Sequence, residues 1–269
     1  MTPTTPGYAE LLAPASWRVV DFISDLHLQA SEPQTLRAWA GYMGATCADA
    51  VFILGDLFEV WVGDDGPAAD DEESRFERHC IDTLHTASTR RPLYFLHGNR
   101  DFLVGMAAAR SAGLTLLDDP TVLAFGTQRW LLSHGDALCL DDREYLQFRA
   151  QVRTPAWQQA FLARPLAERR AFARGLREQS ESRKRSATAY ADVDAPMARD
   201  WLQTAHAAAL IHGHTHKPAD HVLGPGLSRH VLSDWDATAR PARAEVLRLS
   251  LAGDGGSTRL QRLPATAAA

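Results

Sequence analysis

The sequence predicts an α/β protein with parallel strands and a long helical insertion. Short apolar runs alternate with segments of helical spacing up to Asp142, which is the pattern of a parallel sheet covered by helices. Beyond Asp142 strand signals are scarce and helix-forming residues predominate to about Gln203, after which the apolar runs resume. We therefore predict one domain whose chain is interrupted by a helical insertion.

Each apolar run is rich in Val, Ile, Leu and aromatic residues and ends at a polar or glycine-bearing turn, as buried strands do. The predicted strands are WRVVDFIS (17–24), ADAVFIL (48–54), RPLYFLH (91–97) and RWLLSH (129–134). The predicted helices are EPQTLRAWAGYMGAT (32–46), DEESRFERHCIDTLHTAS (71–88) and LVGMAAARSA (103–112). A hairpin is expected around Gly126. From residue 208, AALIH, HVLG, RHVLSDW and RAEVLRLSL predict a further strand and a closing set of antiparallel strands.

These signals set the predicted domain boundaries. Residues 1–16, which contain Pro and Thr, are expected to be a disordered leader, and the C-terminal ATAAA is expected to be disordered as well. Residues 17–142 and 204–260 form the predicted core, and residues 143–203 form the insertion.

Composition limits the class of protein. The 269 residues carry a net charge of −5, with 45% hydrophobic and 23% charged residues, which argues against a general nucleic-acid binder. From Arg143 to Arg185 there are eleven Arg or Lys against four Asp or Glu, so a basic insertion interrupts an acidic chain. The three cysteines form no CxxC pattern and favour a reducing compartment. We recognise neither a signal peptide nor a transmembrane segment, and expect a cytoplasmic or membrane-surface location.

Polar side chains follow five of the predicted strands. Because ligands bind at the carboxyl ends of strands in an open α/β sheet, these segments should converge on one site. A single histidine of this kind is more often structural, but five such segments in order favour a metal centre. The candidate metal ligands are Asp25, His27, Asp56, Asn99, His134, His214 and His216.

The ligand types limit the metal. Carboxylate, imidazole and amide groups without a thiolate suit Mn, Fe or Zn and argue against a structural cysteine zinc site. Seven ligands exceed the needs of one ion but suit two ions that share a carboxylate, with Asp56 as the bridge. Two metals about 3.5–4 Å apart can activate a water for in-line attack on phosphorus.

The motifs D-x-H, G-D, G-N, H-G-D and G-H-x-H, in this order, resemble the calcineurin-like metallophosphoesterase superfamily over residues 18–236. The resemblance implies a four-layer αββα sandwich with two metal ions. It implies a first ion at Asp25, His27, Asp56 and His216. It implies a second ion at Asp56, Asn99, His134 and His214.

Arg100 departs from the superfamily pattern GNH[DE]. A guanidinium cannot act as a general acid, but its fork of donors binds phosphate oxygens well. A phosphomonoester leaving group has a second pKa of ~6 and departs as a stable anion without needing a proton. Arg100 therefore favours cleavage of a P–O–P linkage, with its charge balancing the diphosphate in the transition state.

Longer segments of the sequence indicate a particular family within this superfamily. FISDLHL, ILGDLFEVWVGDD, FLHGNRDFL, SHGDALCLDD and IHGHTHKP closely resemble the UDP-2,3-diacylglucosamine pyrophosphohydrolases of lipid A biosynthesis. The resemblance implies two Mn²⁺ ions, water attack at the α-phosphorus, and release of UMP and 2,3-diacylglucosamine 1-phosphate. It implies catalytic roles for Asp56, Asn99, Arg100 and His214. It implies headgroup contacts by Asn99, Arg100, Asp142, Ser180, Lys184 and His214.

The insertion interleaves large apolar and basic residues, and Pro155 and Pro165 are predicted helix starts. The sequence alone leaves two interpretations open: a cap that admits acyl chains and attracts anionic headgroups, or helices packed on the core with solvated arginines outside. The resemblance favours the cap. We then expect a peripheral protein at the cytoplasmic face of the inner membrane, a monomer or weak dimer without a nucleic-acid partner. The alternatives are another metallophosphoesterase acting on phosphodiesters or nucleotide-linked substrates, and a non-catalytic metal-stabilised scaffold.

Overall fold

Two six-stranded sheets form the frame of the protein. The computed structural model describes residues 7–186, 192–253 and 256–268, without the side chains of residues 178–186. Sheet I contains, in spatial order, β1 (Ala9–Leu12), β6 (Thr121–Phe125), β7 (Gln128–Ser133), β8 (Ala209–His212), β10 (Leu227–Val231) and β9 (Ala219–Gly224). Sheet II contains β12 (Thr258–Pro264), β11 (Glu245–Leu251), β2 (Val19–Ile23), β3 (Ala50–Leu54), β4 (Leu93–Leu96) and β5 (Leu114–Leu117).

Sheet II is buried on both faces, which explains its continuous apolar runs. Successive side chains of a strand point to opposite faces, so Phe52 of β3 packs toward sheet I while its neighbours Val51 and Ile53 face a layer of helices. That outer layer consists of α1 (Pro33–Ala45), α2 (Glu72–Ser88) and α3 (Met106–Ala112). A further helix, α7 (Ala195–Thr204), covers the outer face of sheet I. The predicted four-layer αββα sandwich is confirmed.

The two sheets share one apolar interior. Phe22 and Phe52 stack with their ring centroids 5.2 Å apart, and Leu132 and Ile211 of sheet I pack into the same cluster. Each fully buried side chain of this size contributes about 1.5–3 kcal/mol to folding. This packing holds the ends of strands from both sheets in fixed relative positions.

The insertion supplies α4 (Arg143–Val152), α5 (Pro155–Leu162) and α6 (Leu166–Ser186). As predicted, Pro155 begins α5 and Pro165 directly precedes α6. The buried guanidinium of Arg169 donates to the carbonyl oxygen of Val62 at 2.6 Å and to Oδ1 of Asp65 at 2.8 Å. These bonds fasten α6 to the core. None of the helices in the described ranges is both long and apolar enough to cross a bilayer.

At both termini the structure is ordered where the sequence analysis predicted disorder. The prediction of a disordered leader is wrong for Ala9–Leu12, because β1 pairs in parallel with β6; residues 1–6 lie outside the described residues. The C-terminal ATAAA forms α8 (Ala265–Ala268), so its predicted disorder is also wrong, and Ala269 lies outside the described residues. Buried Ala265 and Ala268 anchor this helix, and the Ala268 carbonyl accepts a 2.6 Å hydrogen bond from Arg248. A four-residue edge strand and a short alanine helix carry little local signal, since partner segments stabilise them.

The end of the insertion and the closing strands also differ from the predictions. Helix α7 falls within the predicted insertion but buries Ala198, Trp201 and Leu202 against sheet I, because these residues recur at helical spacing. The closing strands are not one antiparallel set: β10 pairs in parallel with β8 and antiparallel with β9, while β11 and β12 join sheet II. The apolar residues of a strand indicate that it is buried, but they do not specify which strand it pairs with.

Replacing Arg169 by Met should lower the free energy of unfolding by about 2 kcal/mol, because the Val62 carbonyl loses its partner in buried surroundings. Arg75→Met is the matched control. Arg75 and Asp70 form an exposed pair, so its loss should change stability by less than about 0.5 kcal/mol. Denaturant unfolding of both variants measures the difference, and equal effects would contradict the anchoring role.

Glu77 of α2 gives the fold a pH dependence. Burial raises the pKa of Glu77 to about 7 from its ordinary 4.5, against the opposing effect of Arg170, whose Nη2 lies 3.7 Å from Oε2. Between these two values the folded protein binds more protons than the unfolded chain, so the free energy of unfolding should fall as pH rises through this window. Glu77→Gln should flatten that slope. Denaturant unfolding of both proteins at about pH 5 and about pH 8 tests this, and equal slopes would exclude Glu77 as the cause.

Candidate metal centre

The seven predicted ligands meet at one edge of the sandwich, beyond the carboxyl ends of five strands. In sheet II, Asp25 follows β2, Asp56 follows β3 and Asn99 follows β4. In sheet I, His134 follows β7, and the pair His214 and His216 follows β8. Because packing between the sheets aligns these ends, residues 191 positions apart in sequence are brought within contact distance. The assignment of metal-binding roles stays a prediction.

One group of atoms gathers around Asp25. The Nε2 atoms of His27 and His216 lie 3.2 Å apart, and Nε2 of His216 lies 3.3 Å from Oδ1 of Asp25. These three side chains each offer a ligand atom within 4.8 Å of the others. Two imidazole nitrogens and a carboxylate oxygen pointing at a common space are a plausible set of donors for one divalent ion.

A second group gathers on the other side of Asp56. Oδ2 of Asp56 lies 3.8 Å from Nε2 of His27 and 3.7 Å from Nε2 of His134. Oδ1 of Asn99 lies 3.1 Å from Nε2 of His134 and 2.9 Å from Nδ1 of His214. Asp56 thus stands between the two groups, the place that a bridging carboxylate requires.

Unusual backbone geometry brings the ligands together. Of the six non-glycine residues with positive φ in the described ranges, five belong to the cluster: Asp25, His27, Asp56, His214 and His216. Such left-handed conformations cost of order 1–3 kcal/mol each and persist only where the surroundings enforce them. Gly98 permits the closest approach, since a Cβ there would lie 2.0 Å from Oδ1 of Asp56. Strained backbone at these positions therefore directs the side chains toward one another.

Asp101 is the residue that joins the loops carrying Asp56 and Asn99. Its buried carboxylate accepts hydrogen bonds from the backbone N–H groups of Leu57 at 2.7 Å, Gly98 at 2.9 Å and Phe58 at 3.3 Å. Burial and the nearby Asp56 raise the pKa of Asp101 to about 7. Asp101 is therefore occupied in holding backbone rather than in lining the centre.

The electrostatics of the cluster fit a bound cation. Burial alone would lower the pKa of His134, but carboxylates led by Asp56 raise it to about 9. Burial alone would raise the pKa of Asp25, yet neighbouring histidines led by His216 hold it far below its usual value. The acidic groups thus hold protons on His27 and His134, and a divalent cation would displace those protons. With only oxygen and nitrogen donors converging on buried space, the residues fit a divalent metal.

Two neighbours of the cluster carry functional contacts that the sequence analysis missed. Oε2 of Glu59 lies 2.8 Å from Nδ1 of His27, and Oε1 lies 3.6 Å from the guanidinium of Arg100. Burial would raise the pKa of Glu59, but His27 and two arginines lower it to about 2, so Glu59 is ionised. The ring of Tyr145 stacks on His214 with centroids 6.0 Å apart. Glu59 lies within the motif ILGDLFEVWVGDD, which was the available signal, whereas nothing local marks Tyr145.

The predicted headgroup residues of the insertion divide into two cases. Asp142 is exposed and caps the N-terminus of α4, where its carboxylate accepts from the backbone N–H of Tyr145 at 3.1 Å. Its contact with substrate stays a prediction. Ser180 and Lys184 fall on α6, but their side chains lie outside the described residues, so their roles also stay predictions.

The basic insertion is turned largely toward the core. Arg149 donates to Oδ2 of Asp136 at 2.8 Å, and Arg153 donates to the carbonyl oxygen of Gly98 at 2.8 Å. Arg177 lies 3.2 Å from Glu59 through its Nε atom. Many of the arginines therefore bind the insertion to the core. Neither the interpretation as a lipid cap nor the one with solvated arginines predicted these contacts.

The two sheets, their helical layers and the paired ligand groups define a metallophosphoesterase. The family model described as calcineurin-like phosphoesterase matches residues 19–218. A UDP-2,3-diacylglucosamine hydrolase from Chromobacterium violaceum is 46% identical over 225 residues, covering 80% of this chain and 90% of the relative. The corresponding protein from Aromatoleum aromaticum is 47% identical over 221 residues, covering 80% of this chain and 88% of the relative. The chain therefore belongs to the calcineurin-like phosphoesterases and, within them, to the family of the UDP-2,3-diacylglucosamine hydrolases.

Among solved structures, a similar chain is that of a novel archaeal phosphodiesterase. The TM-score is 0.44 at 10% sequence identity, and the match covers 91% of this chain and 99% of that chain.

Gly98→Ala should damage both stability and metal binding, because its Cβ would meet Oδ1 of Asp56 at 2.0 Å and the Asp56 backbone nitrogen at 2.3 Å. We expect the free energy of unfolding to fall by about 1–3 kcal/mol. Gly41→Ala on α1 enters open space and should raise stability by up to about 1 kcal/mol. Denaturant unfolding and Mn²⁺ titration of both variants test this. A Gly98→Ala protein that matches Gly41→Ala in both measurements would refute the close-approach requirement.

Proposed function

We propose that this protein hydrolyses the diphosphate of UDP-2,3-diacylglucosamine, using two Mn²⁺ ions, to UMP and 2,3-diacylglucosamine 1-phosphate in lipid A biosynthesis. The observation that carries the proposal is the position of Arg100 beside the ligand cluster. The names of relatives that are 46% and 47% identical support the same substrate.

Arg100 is held where a diphosphate would meet the cluster. Its backbone N–H donates to Oδ1 of Asp56 at 2.8 Å, so the residue cannot move independently of the proposed bridge. Its Nη1 lies 3.6 Å from Glu59, while the buried Nε has no hydrogen-bond partner among the described residues. The charge of the guanidinium would bind a phosphate oxygen and neutralise the charge that develops as the P–O–P bond breaks.

Divalent metal ions at such a centre supply a water of lowered pKa and polarise the phosphoryl oxygens. The chain supplies the ligands and their orientation. Asp25, His27, Asp56 and His216 would hold one ion, and Asp56, Asn99, His134 and His214 the other. Because Arg100 carries no transferable proton at working pH, the leaving phosphate departs as an anion stabilised by charge.

An aromatic surface of the insertion suits the acyl chains: Phe172 is its exposed part, and Phe161 lies buried beneath it. Phe102, two residues after Arg100, lies 6.2 Å from Trp157 of α5, and Trp157 stacks on Phe161 at 4.8 Å. Phe172 of α6 extends this surface, with its ring 5.4 Å from that of Phe161. We propose that α4–α6 of the insertion form the cap that holds the lipid.

The same surface supports peripheral binding to the inner membrane from the cytoplasmic side. Phe172 of α6 and Leu162 of α5 are 37% and 40% exposed, which is unusual for large apolar side chains and suits contact with an acyl region. The lipid could then enter the cap without leaving apolar surroundings.

Hydrolysis of UDP-2,3-diacylglucosamine in H₂¹⁸O with Mn²⁺, before and after chelation, tests the function. We expect ¹⁸O in UMP, detected by mass spectrometry, and no turnover with chelator. Label in the lipid phosphate would move the attack to the β-phosphorus. Absence of turnover, with hydrolysis of bis-p-nitrophenyl phosphate intact, would replace the proposal with a phosphodiesterase.

Arg100→Ala should lower kcat/KM for this substrate by about 10²–10³-fold, the usual cost of removing one group that stabilises transition-state charge. Arg110→Ala, which removes an exposed arginine from α3, is the control and should leave kcat/KM unchanged. Steady-state kinetics measure both. An Arg100→Ala enzyme with wild-type kcat/KM would sink the assigned role.

A further inference from the structure

Glu59 is one carboxylate shared by three cationic or basic groups from different parts of the fold. Oε2 lies 2.8 Å from Nδ1 of His27, the nitrogen opposite the one that faces the cluster. Oε1 lies 3.2 Å from Nε of Arg177 and 3.6 Å from Nη1 of Arg100. The side chain of Glu59 is 12% exposed, so these contacts are poorly screened by water.

The backbone that carries Glu59 is fixed. The pairing of the two neighbouring strands continues past their ends through a parallel bridge between Leu28 and Phe58. The backbone N–H of Glu59 then donates to the carbonyl oxygen of Leu28 at 3.1 Å. Glu59 and His27 therefore sit on two adjoining, hydrogen-bonded segments, which keeps the carboxylate opposite the imidazole.

The partner on the insertion is fixed as well. Arg170 lies two helical turns before Arg177 on α6 and donates to Oδ2 of Asp71 at 2.6 Å and to Oγ of Ser74 at 2.9 Å. Arg177 itself donates to Oε1 of Gln29 at 3.1 Å. Because the contacts of Arg170 anchor α6, the helix holds the Arg177 guanidinium beside Glu59.

Resting on the proposed function, we propose that Glu59 is a positioning residue that sets the orientation of His27 toward the metal and of Arg100 and Arg177 toward the diphosphate. A carboxylate behind an imidazole fixes which nitrogen faces the metal and makes that nitrogen a better donor. The same carboxylate keeps the guanidiniums of a core loop and an insertion helix at one side of the cluster. Without its charge, the guanidiniums of Arg100 and Arg177 would repel each other across a few ångströms.

Glu59→Gln tests this, since it keeps the side-chain shape and removes the charge. Mn²⁺ titration followed by isothermal calorimetry should show about 10–100-fold weaker binding, the usual cost of losing a group behind a metal ligand. At saturating Mn²⁺, kcat for UDP-2,3-diacylglucosamine should still fall by about tenfold, because Arg100 loses its support. Glu10→Gln is the control: Glu10 pairs with Arg129 near the start of β7, at the opposite end of that strand from His134, and should change neither quantity.

Two further variants separate positioning from simple stabilisation. Glu59→Asp keeps the charge and should recover part of the Mn²⁺ affinity, whereas a merely structural role would make the shorter side chain the worse of the two. Arg177→Gln leaves the His27 contact in place, so its Mn²⁺ affinity should stay near that of the wild type while its kcat/KM falls. Thermal unfolding of each apoprotein checks that the variants are folded.

Wild-type Mn²⁺ affinity in Glu59→Gln, with unchanged kcat, would overturn the proposal. Failure of the proposed function gives a different result: the wild type would not hydrolyse the UDP-linked lipid, while the difference in Mn²⁺ affinity between Glu59→Gln and Glu10→Gln would remain.

Discussion

The carboxylate of Asp101 is the interaction on which the centre depends. By accepting backbone N–H groups from its own loop and from the loop after β3, it ties together the segments that carry Asp56, Glu59, Asn99 and Arg100. Gly98 then allows these loops to approach more closely than any side chain would permit. A buried acceptor with several amide donors is stable where an unpaired one would cost about 1–3 kcal/mol, so both loops are held in place together.

The insertion is joined to the core mainly through arginine. Arg149, Arg153 and Arg169 reach core carboxylates or carbonyl oxygens, and Arg169 does so while almost completely buried. Guanidinium suits this use because it presents several donors in a planar fork and never loses its charge. Part of the positive charge of the insertion is thus used to bind carboxylates and carbonyl oxygens of the core. Leu162 and Phe172 are the exposed large apolar side chains in the described part of the insertion.

Strain and charge are concentrated at the same edge of the sandwich. Left-handed backbone at the predicted ligand positions and the burial of carboxylates and imidazoles each oppose folding taken singly. The shared apolar interior of the two sheets supplies the stability that tolerates them. Bound divalent metal would relieve the excess negative charge, so metal binding and stability of this edge are coupled.

The sequence determined where the seven predicted ligands lie, because each follows an apolar run whose turn marks the end of a buried strand. It also predicted α1, α2 and the starts of α5 and α6, where local spacing and proline suffice. Tertiary structure alone decided that Ala9–Leu12 forms a strand, that α7 belongs to the core, and that Asp101 and Glu59 contact the loops and side chains of the cluster. Local patterns record whether a segment is buried. They do not record which partner an edge strand or a charged side chain meets, since that depends on contacts between residues far apart in the chain.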